Sequence, residues 1–461
     1  MCGLPYRGAH AQEGEEMKDL SKLTCRIYGY GIFEIFLAQA LGPMNGGFGK
    51  VELFCPWMDS FCKPAPRWIG RNIPGVTRIW EFFDNKDKVD TWAFFDVGDA
   101  DIQQDLRAQG RAIFGTGGRQ KKDGSPGPAA SEIEIDRMLF KKTLIKRGLA
   151  VPKWKNITGI DNLRILAEEK PGFWVKPHVG ERGIFETFYV ESYEQAAIIF
   201  DWIAHELGPM RNVTEFMTEA SIPGVEPGSD YFLSHGIPFE RGLYGWENKG
   251  DGYACKVMKL SDMPQAVRKI NDTMSPTWKE CDIDGAISTE IRVGKSRVPY
   301  FGDACQRMGN PPAACISEIY ENFPEIVRGI AHGEAVEPEF RGAEKDEDGS
   351  DKPVYAAELT IEASGADEKP IPFEMGKDEW RNIKLRTACR IDGEYYNLPF
   401  KKNGSTVAKA VGIGNSVEEA ESKALEAAEK FRCKGKFYNK AVFEELHEAI
   451  NEGKKYGVAG L

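Results

Sequence analysis

The stretch YFGDACQRMGNPP (300–312) combines side chains that could bind and transform a charged substrate. An acid, a guanidinium and an amide, Asp303, Arg307 and Asn310, lie within eight residues of one another. Gly302 precedes Asp303 and Gly309 precedes Asn310, so a ligand could approach the backbone closely there. A second acid, Glu290, precedes Asp303 by thirteen residues in the apolar segment GAISTEIRV. These residue types indicate a site for an ionic ligand.

Both acids follow apolar and β-branched residues, so the two segments are expected to be adjacent strands. A hairpin would bring the carboxylates of Glu290 and Asp303 together, and neighbouring carboxylates repel unless a cation lies between them. Mg²⁺ carried with nucleotide phosphates meets that requirement.

A lysine beside a glycine-containing loop is the second feature typical of phosphate binding. In GFWVKPHVGERGIFETFYV (172–190), Lys176 ends an apolar strand, and a loop from Gly180 to Gly183 leads into the next strand. A nucleotide needs an ammonium group for its phosphate oxygens and a backbone that can fold over them.

A helix with clear end signals is predicted in SEIEIDRMLFKKTLIKRG. Ser131 and Glu134 have the spacing of a capping box, and Gly148 is expected to stop the helix. Arg137 and Lys141 are four residues apart, so both cations lie on one face. Without other observations, a solvated face is the better explanation of this pair.

The first 130 residues alternate apolar strands with helices, which predicts a mostly parallel sheet covered by helices. The predicted strands are LTCRIYG (23–29), KVELFCP (50–56), DTWAFFDVG (90–98) and RAIFGTGG (111–118). The turn formed by Gly29 and Gly31 precedes the first helix and could hold a phosphate, although most such turns only connect a strand to a helix. A Gly-, Pro- and Lys-rich linker follows at 118–130.

Composition excludes several classes of protein. The chain of 461 residues has room for about two to four domains, and its net charge of −11 argues against general nucleic-acid binding. No run of apolar residues is long enough to span a membrane. The ten cysteines form no C-x-x-C pair and the six histidines do not cluster, so reduced thiols and a cytoplasmic location are expected. Nothing in the sequence indicates an oligomeric state.

The order of these features resembles that of the ATP-grasp enzymes, and within them the phosphoribosylamine–glycine ligase family. DACQRMGNPP (303–312) is similar to the family's E-F-N-C-R-F-G-D-P-E, and LRAQGRAIFG (106–115) to its L-R-A-A-G-I-P-V-F-G. Residues 411–440 resemble the family's terminal helix and its F-Y-R-K-D end. The similarity covers most of residues 23–440.

The resemblance implies an α/β chain in which an ATP-grasp fold is preceded by a doubly wound parallel α/β domain and followed by a small α+β domain. The N-terminal, substrate-side domain would span residues 1–130, the ATP-grasp domain 131–335 and the C-terminal domain 336–440. Residues 441–461 would be a tail. A lid subdomain at about 151–212 would close over ATP.

The resemblance also implies ATP-binding roles for eight residues. The phosphates would be contacted by Arg137 and Lys176, and the lid would include Gly180 and Gly183. The adenine edge would meet the backbone of Glu215 and Met217. The ribose would be bound by Glu226, with Asp230 in reserve.

Three further residues would carry the chemistry. Glu290 and Asp303 would hold Mg²⁺, with Mn²⁺ as a possible substitute, and Arg307 would steady the transferring phosphoryl group. The implied reaction uses ATP to convert a small-molecule carboxylate into an acyl phosphate, which an amine then attacks to give an amide.

The sequence departs from the family pattern on the substrate side. Cys305 stands where the family has a metal-ligand asparagine, and sulfur is a poor ligand for Mg²⁺. Asn310, Gly29 and Gly31 fall at substrate-binding positions whose neighbouring cationic residues are missing, so the substrate pocket is expected to differ. Two alternatives to a ligase remain: a nucleotide-binding sensor, decoy or scaffold without ligase activity, and an ATP-grasp kinase acting on a small molecule.

Overall fold

The structure is a computed structural model. It describes residues 18–29, 33–56, 65–118, 130–177, 187–345, 352–376, 378–399, 404–458 and 460–461.

The N-terminal unit is a five-stranded parallel sheet with helices, as the alternating pattern predicts. Its elements are β1 (Thr24–Tyr28), α1 (Glu34–Leu41), β2 (Lys50–Phe54), α2 (Ala65–Trp68), β3 (Thr77–Arg78), β4 (Thr91–Phe94), α3 (Ala100–Ala108) and β5 (Ile113–Phe114). The strand order is β3-β2-β1-β4-β5, and every pairing is parallel. All four residues of β4 are buried, as expected for a parallel strand covered on both faces.

The predicted helix after residue 130 is two helices, α4 (Ala130–Ile135) and α5 (Arg137–Lys146), separated at Asp136. The Asp136 carboxylate accepts a hydrogen bond from the backbone N–H of Leu139 and caps α5. The predicted capping box of Ser131 and Glu134 is therefore wrong, because Glu134 is buried and bonds elsewhere. Gly148 has a positive φ of 76° and follows α5, as predicted.

A smaller unit with its own apolar core follows. Its elements are β6 (Trp154–Thr158), α6 (Ile160–Glu169), β7 (Phe173–Pro177), β8 (Phe188–Val190), α7 (Tyr193–Leu207) and β9 (Glu215–Ala220). The strands form an antiparallel sheet in the order β6-β9-β7-β8, here called the small sheet. One core cluster, which includes Leu163, Val175, Phe200 and Phe216, packs the two helices against it. Gly180 and Gly183 lie outside the described residues.

The largest sheet, here called the central sheet, is antiparallel and has ten strands. Its first part consists of β10 (Pro227–Ser234), β11 (Ile237–Pro238), β12 (Arg241–Asn248), β13 (Gly252–Lys259), β14 (Gly285–Val293) and β15 (Pro299–Cys305), with α8 (Gln265–Cys281) between β13 and β14. The buried face of α8 includes Val267, Ile270, Met274 and Trp278. Two helices, α9 (Ala313–Ile319) and α10 (Phe323–His332), follow β15.

The C-terminal unit continues the central sheet. Its elements are β16 (Tyr355–Ala363), β17 (Ile371–Glu374), β18 (Ile383–Leu385), β19 (Ala388–Ile391), β20 (Glu394–Asn397), β21 (Thr406–Gly414), α11 (Val417–Lys430), β22 (Arg432–Cys433) and β23 (Lys436–Phe437). The central sheet has the order β15-β14-β10-β12-β13-β16-β21-β18, and β17, β19, β20 and β22 form a separate four-stranded sheet. Ser416 caps α11 by accepting a hydrogen bond from the backbone N–H of Glu419.

The segment expected to be a tail contains a further helix, α12 (Val442–Lys455). Its apolar face, which includes Phe443, Leu446 and Ile450, is buried. Gly453 lies so close to Trp246 on β12 that a Cβ atom there would be 2.4 Å from the indole ring. The spacing of apolar residues every three or four positions was the available signal for this helix. Like the other described helices, α12 is too short or too polar to cross a membrane.

Candidate functional site

A cavity between the small sheet and the central sheet brings together four of the residues expected at the nucleotide site: Lys176, Glu226, Glu290 and Asp303. Here it is called the cleft. Its lining is Trp174, Lys176, Thr187, Glu219, Ala220 and Ile222 on one side, and Glu226, Lys249, Glu290, Arg292, Gly302 and Asp303 on the other.

The two predicted metal ligands lie on adjacent strands. Glu290 on β14 is directly opposite Asp303 on β15, so the expected hairpin is confirmed. Directly opposed residues share one face of an antiparallel sheet, which places both carboxylates on the same side. Burial, together with the nearby carboxylates of Glu226, Asp303 and Glu247, raises the pKa of Glu290 to about 8, against the opposing effect of Lys249. The two acids therefore share one face, and other carboxylates lie nearby.

Glu219 links two lysines at the other side of the cleft. Its carboxylate accepts a short hydrogen bond from Lys141 and lies 2.8 Å from Nζ of Lys176. Burial favours the neutral carboxyl group, but the two ammonium groups outweigh it and lower the pKa of Glu219. Arg137 and Lys141 are both buried, so the solvated-face explanation of that pair is wrong.

Arg137 connects the small sheet to the metal-ligand candidates. One terminal nitrogen, Nη1, donates to the backbone carbonyl of Pro177 at 2.8 Å, and the other, Nη2, is 3.8 Å from Oδ2 of Asp303. As the first residue of α5, Arg137 is held by a helix that Asp136 caps.

Glu226 lies in the cleft, as expected, but between two cations. Its carboxylate accepts a hydrogen bond from Arg292, and its Oε1 is 3.2 Å from Nζ of Lys249. The same ammonium is 3.3 Å from Oε2 of Glu290. Burial alone would lower the pKa of the Lys249 ammonium. The surrounding acids, chiefly Glu290 and Glu226, outweigh burial and raise that pKa.

The structure does not support adenine contacts from Glu215 and Met217. Met217 is buried in mid-strand and pairs with Asn156 on one side and Lys176 on the other, so both of its strand edges are occupied. Glu215 begins the same strand and pairs with Thr158. The cleft is lined instead by the other end of the strand, at 219–222. Because β9 runs to Ala220, the exposed backbone begins after that residue, later in the chain than Glu215 and Met217.

Asp230 lies away from the cleft, in a second cavity, here called the inner cavity. It is buried on β10 and accepts hydrogen bonds from Tyr253 Oη at 2.7 Å and from the Ser288 hydroxyl. Burial raises its pKa to about 8, against the opposing hydrogen bond from Tyr253. Asp230 is therefore a buried acid beneath the sheet, and its assignment as a reserve ribose ligand is not supported.

The inner cavity also holds the remaining residues of the opening motif. Its lining includes Glu247, Tyr253, Ser288, Cys305, Arg307, Gly309, Asn310 and Pro311, together with Glu226 and Glu290, which border both cavities. Asn310 thus lies beside Arg307, as the motif indicated. Burial, with a smaller effect of nearby carboxylates, raises the pKa of the Cys305 thiol well above its usual value. The Cys305 side chain is therefore a neutral thiol at neutral pH.

Arg307 is fixed by acids from two other parts of the fold. Its Nε donates to Glu134 Oε1 at 3.0 Å and is 3.5 Å from Oδ1 of Asp96, which follows β4. The second oxygen of Glu134 accepts a 2.6 Å hydrogen bond from the backbone N–H of Gln306. Burial lowers the pKa of Arg307, but the two acids raise it well above the usual value, so the guanidinium is always charged.

The glycine turn before α1 is occupied by a side chain. A Cβ atom at Gly29 would lie 2.1 Å from Cγ of Glu34, and the Glu34 carboxylate accepts a 3.1 Å hydrogen bond from the backbone N–H of Phe33. An acid in this position repels a phosphate, so the structure favours the alternative that this turn only connects strand to helix. Gly31 lies outside the described residues.

The acids of the cleft suit a single hard cation better than a larger metal cluster. Among the residues that the structure describes, no three His, Cys, Asp or Glu side chains gather as a metal site. Glu290 and Asp303 nevertheless present carboxylate oxygens on one face, and Glu226 and Glu247 add further negative charge near Glu290. Both properties fit one Mg²⁺ ion.

Three residues of the site are not predicted from the sequence: Glu134, Glu219 and Lys249. The spacing predicts a helix-capping role for Glu134 and no particular role for Glu219. Lys249 belongs to the turn NKGD between β12 and β13, and a lysine in such a turn is usually solvated. For Glu219, the only available signal was its position near the Pro-Gly pair that ends the strand.

Comparison with known proteins supports the fold. No protein-family model and no curated protein matches the sequence. Phosphoribosylamine–glycine ligase from Thermotoga maritima is similar in structure over 90% of this chain and 99% of its own, with 18% identity and a TM-score of 0.62. Biotin carboxylase from Campylobacter jejuni, solved with a β,γ-ATP ligand, covers 92% and 96%, with 14% identity and a TM-score of 0.57. An ADP complex of N5-carboxyaminoimidazole ribonucleotide synthetase covers 92% and 98%, with 12% identity and a TM-score of 0.55. The chain therefore has the ATP-grasp fold that the resemblance predicts.

Proposed function

We propose that this chain is an ATP-dependent ligase that joins a small-molecule carboxylate to an amine. One observation carries the proposal: Lys176 and Glu219 face Glu290 and Asp303 across a single cleft in an ATP-grasp fold. A lysine on one wall and two opposed carboxylates on the other suit a nucleotide that arrives with a divalent cation.

In this proposal the nucleotide lies along the small sheet. Lys176 contacts its phosphates, and Arg137 neutralises charge beside Asp303. The adenine edge meets the backbone of Ser221 and Ile222, which follows the end of β9 and is free of the strand pairing that occupies Met217. Trp174 and Ile222 supply apolar surface for the base.

The reaction has two steps. A carboxylate oxygen of the acid attacks the γ-phosphorus, forming an acyl phosphate while the bond to the β-phosphate oxygen breaks and ADP leaves. The amine nitrogen then attacks the acyl carbon, the C–O bond to phosphate breaks, and the nitrogen loses a proton to give the amide and phosphate. Arg307, held by Glu134 and Asp96, donates to the phosphoryl oxygens as negative charge moves between them.

Glu290 and Asp303 would hold Mg²⁺, which when bound supplies positive charge beside the phosphates. The acid and the amine would enter from the inner cavity, where Arg307 and Asn310 lie. The Cys305 thiol and the buried acids of that cavity differ from a site built for a sugar phosphate, so another acid or amine is proposed as substrate.

Phosphate release tests the proposal. We expect ATP to be converted to ADP and phosphate only when mixtures of small carboxylic acids and amines are added, with an amide appearing in the products. Binding of ADP without phosphate release in any mixture would favour the alternative of a nucleotide-binding protein without ligase activity. Failure to bind ATP or ADP with Mg²⁺ would contradict both the ligase and the nucleotide-binding alternative.

A further inference from the structure

Lys249, like Arg292, is a cation of the cleft to which the proposed reaction assigns no role. It lies in the turn between β12 and β13, and its ammonium is 3.2 Å from a carboxylate oxygen of Glu226 and 3.3 Å from one of Glu290. The side chain is more than half exposed toward the cleft, with 59% of its surface accessible. A solvated lysine gains little from a single surface acid, but here two acids converge on the same ammonium.

The backbone holds this lysine at the edge of the cleft. The two strands stay paired to their ends, with Asn248 opposite Gly252, and the N–H of Asp251 donates to the carbonyl of Asn248 at 3.0 Å. The Asn248 amide donates to Glu445 on α12 at 2.6 Å. The helix found in place of the expected tail therefore helps to anchor the turn that carries Lys249.

The charges nearby require a cation at this position. Glu226, Glu247, Glu290 and Asp303 all lie near Lys249 or near one another, while Arg292 contacts Glu226 at its other oxygen. Without Lys249 these carboxylates would repel one another and any incoming phosphate. The Cys305 sulfur, which borders the inner cavity beside Glu290, is a poor ligand for a second hard cation.

We propose that Lys249 is a tethered cation of the nucleotide site. Its ammonium supplies, beside Glu226 and Glu290, the charge that a second divalent ion would otherwise have to bring. Nucleotide binding then requires one divalent ion fewer than it would require without Lys249. This inference rests on the proposed nucleotide site, but not on which acid and amine the ligase joins.

Nucleotide binding without metal tests the role directly. ADP affinity is measured by calorimetry with Mg²⁺ and with EDTA for wild type, Lys249→Met, Lys249→Arg and the control Lys259→Met. Lys259 is an exposed lysine of the same strand pair that contacts only an exposed acid, Glu240, among the ion pairs of the described residues. In EDTA we expect Lys249→Met to bind ADP about ten- to a hundredfold more weakly than wild type. Lys249→Arg and Lys259→Met should bind within about threefold of wild type, and Mg²⁺ should narrow the Lys249→Met difference because it replaces the lost charge.

Metal counting gives a second readout. With ADP present, Mn²⁺ used as a paramagnetic probe should bind to Lys249→Met with one ion more per chain than to wild type. Equal ADP affinity in EDTA and an equal ion count for wild type and Lys249→Met would overturn the inference. Tighter ADP binding by Lys249→Met would also overturn it, because the lysine would then obstruct the nucleotide site. If wild type binds no ADP even with Mg²⁺, the proposed function fails first and the inference with it.

Discussion

Glu290 and Asp303 face each other across the β14–β15 pair, and the register of the two strands shifts immediately after Glu290. A bulge at that point increases the local twist and re-aims side chains, which is common beside functional sites. The arrangement holds two acids on one face, where burial and then the carboxylates of Glu226 and Asp303 raise the pKa of Glu290. Repulsion of this kind is tolerated where a cation binds, so this pair gives the sharpest test of the proposed metal site.

The first prediction is that Asp303→Asn abolishes ADP release that depends on Mg²⁺, and that Glu290→Gln does the same. Each carboxylate supplies charge that the other cannot replace, while the neutral variants keep the same shape and should fold normally. Turnover is measured with the substrate mixture, and folding by thermal denaturation. Asp272→Asn, which changes an exposed acid on α8, is the matched control and should behave as wild type. Wild-type turnover by Asp303→Asn would show that the metal site is wrongly drawn.

The second prediction concerns the phosphate contact. Lys176→Ala should weaken ATP binding by ~1.5–3 kcal/mol, the usual contribution of a hydrogen bond to a charged group. Glu219 keeps its partner Lys141, so the fold should tolerate the change. Lys155→Ala, on strand β6 of the same small sheet, removes an exposed lysine and serves as the control. An ATP affinity within twofold of wild type, measured by calorimetry, would show that Lys176 does not contact the phosphates.

The third prediction concerns the acid that fixes Arg307. Glu134→Ala removes hydrogen bonds to the Arg307 guanidinium and to the backbone of Gln306, and should lower the free energy of unfolding by ~1.5–3 kcal/mol. It should also lower kcat, because the guanidinium loses its fixed orientation. Glu132→Ala, at an exposed position of the same helix, should change stability by less than ~0.5 kcal/mol. Urea unfolding of the two variants separates these expectations, and equal effects would contradict the role of Glu134.

The fourth prediction concerns the thiol of Cys305 in the inner cavity. Cys305→Asn replaces a soft sulfur with a hard carbonyl oxygen and should leave Mg²⁺-dependent turnover similar or modestly higher. The measurement is ADP release at varied Mg²⁺ concentration. A large loss of turnover would mean that the thiol itself takes part in the reaction.

Much of the fold could be predicted because local patterns and the global structure agree. The alternating N-terminal strands, the Gly148 helix end and the Ser416 cap follow from short-range rules that no tertiary contact opposes. The pairing of Glu290 with Asp303 followed from two apolar segments separated by a short turn.

The predictions that were wrong involve residues whose local role was overridden by distant partners. Glu134 has the sequence position of a cap but bonds to Arg307, 173 positions away. Glu219 and Lys141 are 78 positions apart. The position of Lys249 depends on where β12 and β13 end and on α12, which packs from the far end of the chain. Periodicity within one segment carries no information about such contacts.

The last prediction is a pH dependence of stability that originates at Asp230. Burial raises the pKa of this carboxyl from its ordinary 3.8 to about 8. Between those values the folded chain keeps a proton that the unfolded chain releases, so this group makes the folded state progressively less stable as pH rises. Asp230→Asn mimics the protonated acid, since its amide can still accept from Tyr253 and donate to the Ser288 hydroxyl. From pH 5 to pH 8, wild type should lose at least about 1.4 kcal/mol more unfolding free energy than Asp230→Asn, the equivalent of one pKa unit. Urea denaturation at the two pH values measures the difference. Parallel pH profiles for the two proteins would mean that Asp230 is ionised in the folded chain.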